Sequence, residues 1–147
     1  MANYILYTDG GARGNPGPAG AGVAIYDSAG EVLGELHLSL GRATNNYAEY
    51  SAVVLGLEGL KKLVAVGKRK ETHVEIRMDS ELVARQLSNK YEIREETLFP
   101  LFIKVRNLMV SSFPHTTFVH IPREKNKHAD RLSNIAMDES EAQERRK

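Results

Sequence analysis

The sequence predicts an α/β domain, a mixed five-stranded sheet with helices packed on both faces. Two patterns carry that expectation. Residues 4–40 hold three apolar runs joined by short turns, and from Thr44 onward helical and strand-like segments alternate, which gives the order βββαβαβα. Strands joined by short turns pair antiparallel, whereas strands separated by a helix favour parallel pairing through right-handed crossovers. A third observation sets the size: 147 residues with no internal repeat and no dividing linker fit one domain with a real core.

The first run, Tyr4 to Thr8, delivers one carboxylate, Asp9, at its end, and Gly10-Gly11 reads as the opening of a glycine-rich turn. Val23 to Tyr26, led by Ala19-Gly20-Ala21-Gly22, is the second strand, and Asp27-Ser28-Ala29-Gly30 has turn chemistry. In Val32 to Leu40, Leu36, Leu38 and Leu40 alternate with Glu35, His37 and Ser39, the period-two pattern of a strand with one buried face. Thr44-Asn45-Asn46 offers capping side chains for a helix over Tyr47 to Val66. Its Val53, Leu57, Leu60 and Val64 recur at helical spacing, and Gly67 ends it.

Lys68-Arg69-Lys70-Glu71 reads as a solvated turn, and Val74 to Asp79 alternates as a fourth strand. Ser80 can cap Glu81 to Leu87, and Ser88 to Thr97 is a polar loop. Pro100 fits the first turn of a helix to about Ser112, with Leu101, Val105, Leu108 and Met109 as its stripe. Thr116 to Ile121 is β-branched and strand-like, and Pro122 to Asn126 is a loop. Lys127 to about Met137 is the last helix, with Ala129, Leu132 and Ala136 on one face. The domain is therefore expected to span 1–137. Residues 138–147, charged and without apolar anchors, are expected to be a flexible tail.

Composition narrows the class. No apolar run is long enough to span a bilayer, and Met1-Ala2-Asn3 does not open a secretory signal. The absence of cysteine excludes disulfides and thiolate-bound zinc, and it suits a reducing cytoplasm. A net charge of +1 means that any polyanionic partner is held by locally placed Lys and Arg, or by metal ions, rather than by bulk charge.

Four carboxylates then stand out. Asp9 and Asp79 end strands one and four, and two parallel neighbours would present both at one sheet edge. Glu49 and Asp130 lie in the first turns of helices that begin near that edge. Each alone has a plainer reading as a turn former or a residue favoured by the helix dipole. Together they repel one another and raise one another's pKa unless a cation neutralises them. An all-oxygen set suits Mg²⁺, or Mn²⁺ in its place. Two such ions about 4 Å apart can activate a water and stabilise the leaving oxygen in phosphodiester hydrolysis.

Five blocks carry a specific resemblance: Tyr7-Thr8-Asp9-Gly10-Gly11, Gly14-Asn15-Pro16-Gly17-Pro18, Asn45-Asn46-Tyr47-Ala48-Glu49, Asp79-Ser80-Glu81-Leu82-Val83 and Asn126-Lys127-His128-Ala129-Asp130. In this order and spacing, from about Asn3 to Met137, the chain closely resembles type 1 ribonuclease H. The resemblance implies the ribonuclease H-like βββαβαβα fold and a two-metal endoribonuclease. That enzyme cuts the RNA strand of an RNA–DNA hybrid and leaves 5′-phosphate and 3′-hydroxyl ends. It further implies that Asp9 bridges both ions, that Asp130 joins it at the ion activating the water, and that Glu49 and Asp79 join it at the ion facing the leaving 3′ oxygen. Gly10, Gly11, Asn15, Asn46 and Glu49 match positions that contact the RNA strand across its minor groove, where 2′-hydroxyls distinguish RNA from DNA. Thr44 and Asn45 match positions that hold a DNA-strand phosphate or sugar, a role that can coexist with capping.

Three departures from the family pattern matter. The loop Pro122-Arg123-Glu124-Lys125-Asn126 lacks the histidine many relatives carry, Glu124 is the candidate substitute, and His128 reads as a surface residue on the helix. The segment Tyr91 to Thr97 is net acidic where relatives have a basic protrusion. Hybrid affinity is then expected to be modest, with a shallow salt dependence, and to lean on Arg85, Lys90, Arg123 and Lys125. Ser80 is a further candidate contact, and Tyr91 either stacks on a DNA sugar or packs against the sheet. A separate N-terminal hybrid-binding module is not expected, which implies low processivity, and the protein is expected to be a monomer. The competing readings are a same-fold nuclease acting on double-stranded RNA or DNA junctions and a non-catalytic hybrid-binding module.

Overall fold

The computed structural model describes residues 2–146; Met1 and Lys147, the outermost residues of the expected domain and tail, lie outside it. The strands are β1 (Tyr4–Ala12), β2 (Gly17–Asp27), β3 (Val32–Ala43), β4 (His73–Met78) and β5 (His115–His120). The helices are α1 (Asn45–Leu63), α2 (Glu81–Leu87), α3 (Phe99–Ser111) and α4 (Lys127–Arg145), with 3₁₀ turns at Val66–Glu71, Glu96–Leu98 and Arg123–Lys125. Strand order across the sheet is β3-β2-β1-β4-β5. The first three strands pair antiparallel, and β1, β4 and β5 pair in parallel. Turn-linked strands form the meander and helix-linked strands the parallel half, as the link lengths dictate. Among the described residues no helix is long and apolar enough to cross a membrane.

α1 covers one face. Thr44 caps it by accepting the Tyr47 N–H at 3.1 Å, and Val53, Leu57 and Leu60 are fully buried in one cluster with Leu6, Val23 and Ile25. Burial of each such side chain stabilises the fold by about 1.5–3 kcal/mol. The helix ends at Leu63, with Val64 as its C-cap and Gly67 inside the following 3₁₀ turn, slightly earlier than the apolar spacing suggested.

α4 covers the other face, close enough that a Cβ at Gly22 would lie 2.4 Å from the Ser133 backbone nitrogen. The expectation of a flexible tail from 138 is not met: α4 continues as helix to Arg145. Ser140, 1% exposed, donates its hydroxyl to the Ala19 carbonyl at 2.6 Å and accepts the Gly41 N–H at 3.2 Å. Arg13 pairs with Asp138 and Glu141, and Arg42 pairs with Glu144. The extension is anchored by polar contacts, to which apolar periodicity is blind.

Two strands also depart from expectation. β1 does not stop at Asp9, because Gly10 and Gly11 stay in the ladder opposite Ala21 and Gly20, and the turn falls at 13–16. In β3 Leu36 and Leu38 stay in register opposite Val23 and Ala21, and a shift follows at Leu40; Leu36 and Leu40 pack on the core while Leu38 is 44% exposed. β3 is an edge strand, shielded by one neighbour only.

Candidate active site

The parallel ladder between β1 and β4 ends at the pair Thr8 and Met78. Asp9 and Asp79 are each the next residue, so the register sets both at one level where the strands part. β1 runs on alone beside β2, and a crevice opens at the carboxyl end of β4. Glu49 reaches the same point from α1, and carboxylate oxygens of Asp9, Glu49 and Asp79 lie within 4.8 Å of one another. Asp130, in the first turn of α4, lines the same cleft of about 300 Å³.

Two of the acids are held by close hydrogen bonds. Ser133 donates its hydroxyl to Asp9 Oδ2 at 2.7 Å, and the Gly10 N–H donates to Glu49 Oε1 at 2.9 Å. Gly10 is required for that second contact: a Cβ there would lie 2.2 Å from the Ala48 carbonyl carbon, so only glycine lets the α1 backbone come this close. Asn126, fully buried, donates its amide to the Thr8 carbonyl at 2.9 Å, with Asp79 Oδ2 a longer 3.5 Å away. Its backbone carbonyl accepts the Asp130 N–H at 3.0 Å as the first bond of α4, so this residue links the end of β1, Asp79 and the start of α4.

The electrostatics follow from the crowding. Burial, opposed in part by the Ser133 hydrogen bond and reinforced by repulsion from Asp79 and Asp130, pushes the Asp9 carboxyl up to about 7. Burial and repulsion from Asp9 likewise hold Glu49 well above the usual carboxylate range, against the pull of the Gly10 N–H. The group offers oxygen donors alone and carries excess negative charge, which fits a hard divalent cation.

Comparison with known proteins agrees with this geometry. Residues 7–136 match the family model described as "Reverse transcriptase-like". A solved structure of an RNase H1 isolated from compost by a metagenomic approach superposes with a TM-score of 0.88 at 48% identity, covering 95% of this chain and 99% of that one. The chain belongs to the ribonuclease H family. A second structure of that compost ribonuclease H holds an RNA/DNA hybrid. A ribonuclease HI of Halobacterium salinarum is 36% identical over 91% of this chain and 64% of its own length. A bifunctional protein of Mycobacterium tuberculosis is 39% identical over 91% of this chain, which spans only 35% of that relative's length.

Of the remaining candidate residues of this ribonuclease H chain, six line two recesses, with Gly10 already placed at the acids, whereas Asn15, Thr44, Ser80 and Arg85 line neither. Gly11, Asn45 and Arg123 line the carboxylate cleft with the four acids. Asn46, Lys90 and Tyr91 line a neighbouring groove of about 540 Å³. Several of them also serve the fold. Asn15 Oδ1 accepts the Asn45 N–H at 3.0 Å, and Asn45 Oδ1 accepts the Ala12 N–H at 2.8 Å, which binds the turn after β1 to the start of α1. Ser80 caps α2 by accepting the Val83 N–H. Arg85 pairs with Glu81 and sits 5.4 Å over the Tyr91 ring; Tyr91 is 49% exposed, so it is not packed into the sheet.

Glu124 is not brought to the acids. It is exposed on the 3₁₀ turn, and its neighbour Arg123 faces the cleft instead. His128 is not a free surface residue either: its Nδ1 lies 2.6 Å from the Tyr26 hydroxyl, and its other ring nitrogen meets Glu35. Sequence reasoning missed Ser133 and the tying role of Asn126. Ser133 lies one turn beyond Asp130 on the same helix face, a spacing that marks it as a neighbour of the site. Nothing local signals its partner, Asp9, 124 residues away.

Proposed function

We propose that this chain is a divalent-metal-dependent endoribonuclease that hydrolyses the RNA strand of RNA–DNA hybrids and leaves 5′-phosphate and 3′-hydroxyl ends, with Mg²⁺ as the working ion. The observation that carries this reading is the convergence of Asp9, Glu49 and Asp79 within 4.8 Å, in a chain 48% identical to a ribonuclease H1 whose structure holds such a hybrid. Asp9, Glu49, Asp79 and Asp130 are the residues that would hold the metal. When bound, a divalent cation supplies positive charge to the reacting phosphate and the means to activate a water at neutral pH.

The chain's own residues prepare that chemistry. Ser133 fixes one oxygen of Asp9, which lines the cleft. The Gly10 N–H fixes one oxygen of Glu49. Held acids need no reorganisation when the substrate phosphate arrives, which is the source of most electrostatic catalysis. Asn45 and Arg123 at the rim, and Asn46, Lys90 and Tyr91 in the adjoining groove, then contact the duplex backbone.

The test compares a labelled RNA–DNA hybrid, double-stranded RNA and duplex DNA under one Mg²⁺ condition, with Asp9→Asn as the control. Cleavage of the hybrid's RNA strand that requires both Mg²⁺ and Asp9 supports the reading. Equal cutting of duplex DNA, or a near-normal rate from Asp9→Asn, overturns it.

A further inference from the structure

Two adjacent residues at the start of α1 face different recesses. Asn45 lines the carboxylate cleft, whereas Asn46 lines the neighbouring groove with Lys90, Tyr91, Arg94 and Glu95. The donors at that groove suit an anion: the Asn46 amide and the cations Lys90 and Arg94 in its lining, Arg94 lying 3.8 Å from Glu92 beside it, and the Thr44 hydroxyl just beyond, within reach of Glu95. In the folded chain the uncharged donors already hold a carboxylate. Glu95 Oε2 accepts the Thr44 hydroxyl at 3.0 Å and the Thr97 hydroxyl at 3.1 Å, and Oε1 lies 3.5 Å from Asn46 Nδ2. The Thr44 oxygen accepts the Tyr47 N–H in the same arrangement, so its own proton is free to point outward at Glu95.

Glu95 has one local contact, the Thr97 hydroxyl two residues on, and its other oxygen contacts reach across to α1. Glu95 precedes the 3₁₀ turn Glu96–Leu98, and its side chain does not cap that turn. The segment is fastened independently of Glu95 as well, through Leu98, 1% exposed, and through Gln86 Nε2, which donates to the Glu92 carbonyl at 3.3 Å.

We propose that Glu95 sets substrate affinity as an internal competitor: its carboxylate holds the Thr44 and Asn46 donors against a backbone phosphate of the bound duplex. The proposal rests on the nuclease reading above and adds to it the residue that limits binding. A phosphate entering the groove displaces a charge-assisted hydrogen bond and meets a like charge. One anion replaces another, so the net gain from the groove is small, and fewer counterions are released than the groove's cations alone would allow.

Glu95→Gln tests this, because glutamine keeps the shape and an acceptor oxygen while removing the charge. Two readouts are compared with the unaltered chain: KM and kcat on a hybrid with Mg²⁺, and equilibrium binding of the same hybrid in chelator at several salt concentrations. The expected result is a KM and Kd lower by about 3- to 10-fold at low salt, with the gain in KM rather than kcat, and a salt slope steeper by about 1. Glu95→Lys extends the same trend. An unchanged or weaker Kd, or an unchanged slope, overturns the proposal, and a lower Tm with a raised KM assigns Glu95 a purely structural part. If the unaltered chain binds the hybrid without cutting it, the nuclease reading fails while the Glu95 comparison stands. If it cuts the hybrid and Glu95→Gln binds no tighter, the Glu95 proposal fails alone. A chain that neither binds nor cuts overturns both.

Discussion

Replacing Asp9 with asparagine is expected to stabilise the metal-free protein while abolishing hydrolysis. The Asp9 carboxyl is raised from its ordinary 3.8 to about 7 by burial and by repulsion from Asp79 and Asp130. A carboxyl raised in the folded state adds stability that is fully present below pH ~3.8 and lost as pH rises through about 7. Above that pH the fold holds an anion it disfavours, and the gap between the two values corresponds to about 4 kcal/mol. Asparagine removes the charge, and its side-chain oxygen still accepts the Ser133 hydroxyl. Allowing half the gap for relaxation of the remaining acids leaves about 2 kcal/mol, a Tm rise of about 4–8 °C for a chain of this size. The assay is thermal unfolding followed by circular dichroism in chelator at a series of pH values from 4 to 8. The gain is largest at pH 8 and shrinks toward pH 4. Titrating Mg²⁺ back raises the Tm of the unaltered protein more than that of Asp9→Asn. A variant less stable than the parent at pH 8 in chelator, or a gain that does not vary with pH, refutes the reasoning about crowded acids.

Three further outcomes follow from the same structure. Ser133→Ala removes the hydroxyl that steadies Asp9 and weakens Mg²⁺ binding by about 10-fold or more, read as a shift in the metal dependence of Tm. Ser140→Ala costs about 1–2 kcal/mol in urea unfolding, because the Ala19 carbonyl and the Gly41 N–H both lose a buried partner; a free tail beyond Met137 would show no change. Glu124→Ala leaves kcat within about threefold of the parent, the range of an exposed substitution away from the reacting groups, and a loss near that of Asp9→Asn would return Glu124 to the catalytic set.

The legibility of this chain was uneven for identifiable reasons. Local patterns survived folding. The alternation in Val74 to Asp79, the Ser80 cap and the stripe of Val53, Leu57 and Leu60 reappear because each is set by neighbours a few residues away. The expected turn at Gly10-Gly11 failed because glycine signals both a turn and a close approach of backbones. Here the second meaning applies, with α1 pressed against β1. The expected tail failed because Ser140, Arg13 and Arg42 anchor α4 through polar contacts that carry no apolar period.

The sequence by itself determined the order of elements, the family and the four acids, because those depend on residue type and spacing along the chain. Only the tertiary structure decided what surrounds each acid. The parallel register of β1 and β4 sets Asp9 level with Asp79, and α4 brings Ser133 to Asp9 from 124 residues away. It also placed Glu95 on the donors of Thr44 and Asn46 and left Glu124 in solvent. Hydrogen bonds and repulsions of this kind act over a few ångströms, and chain separation carries almost no information about which groups come that close.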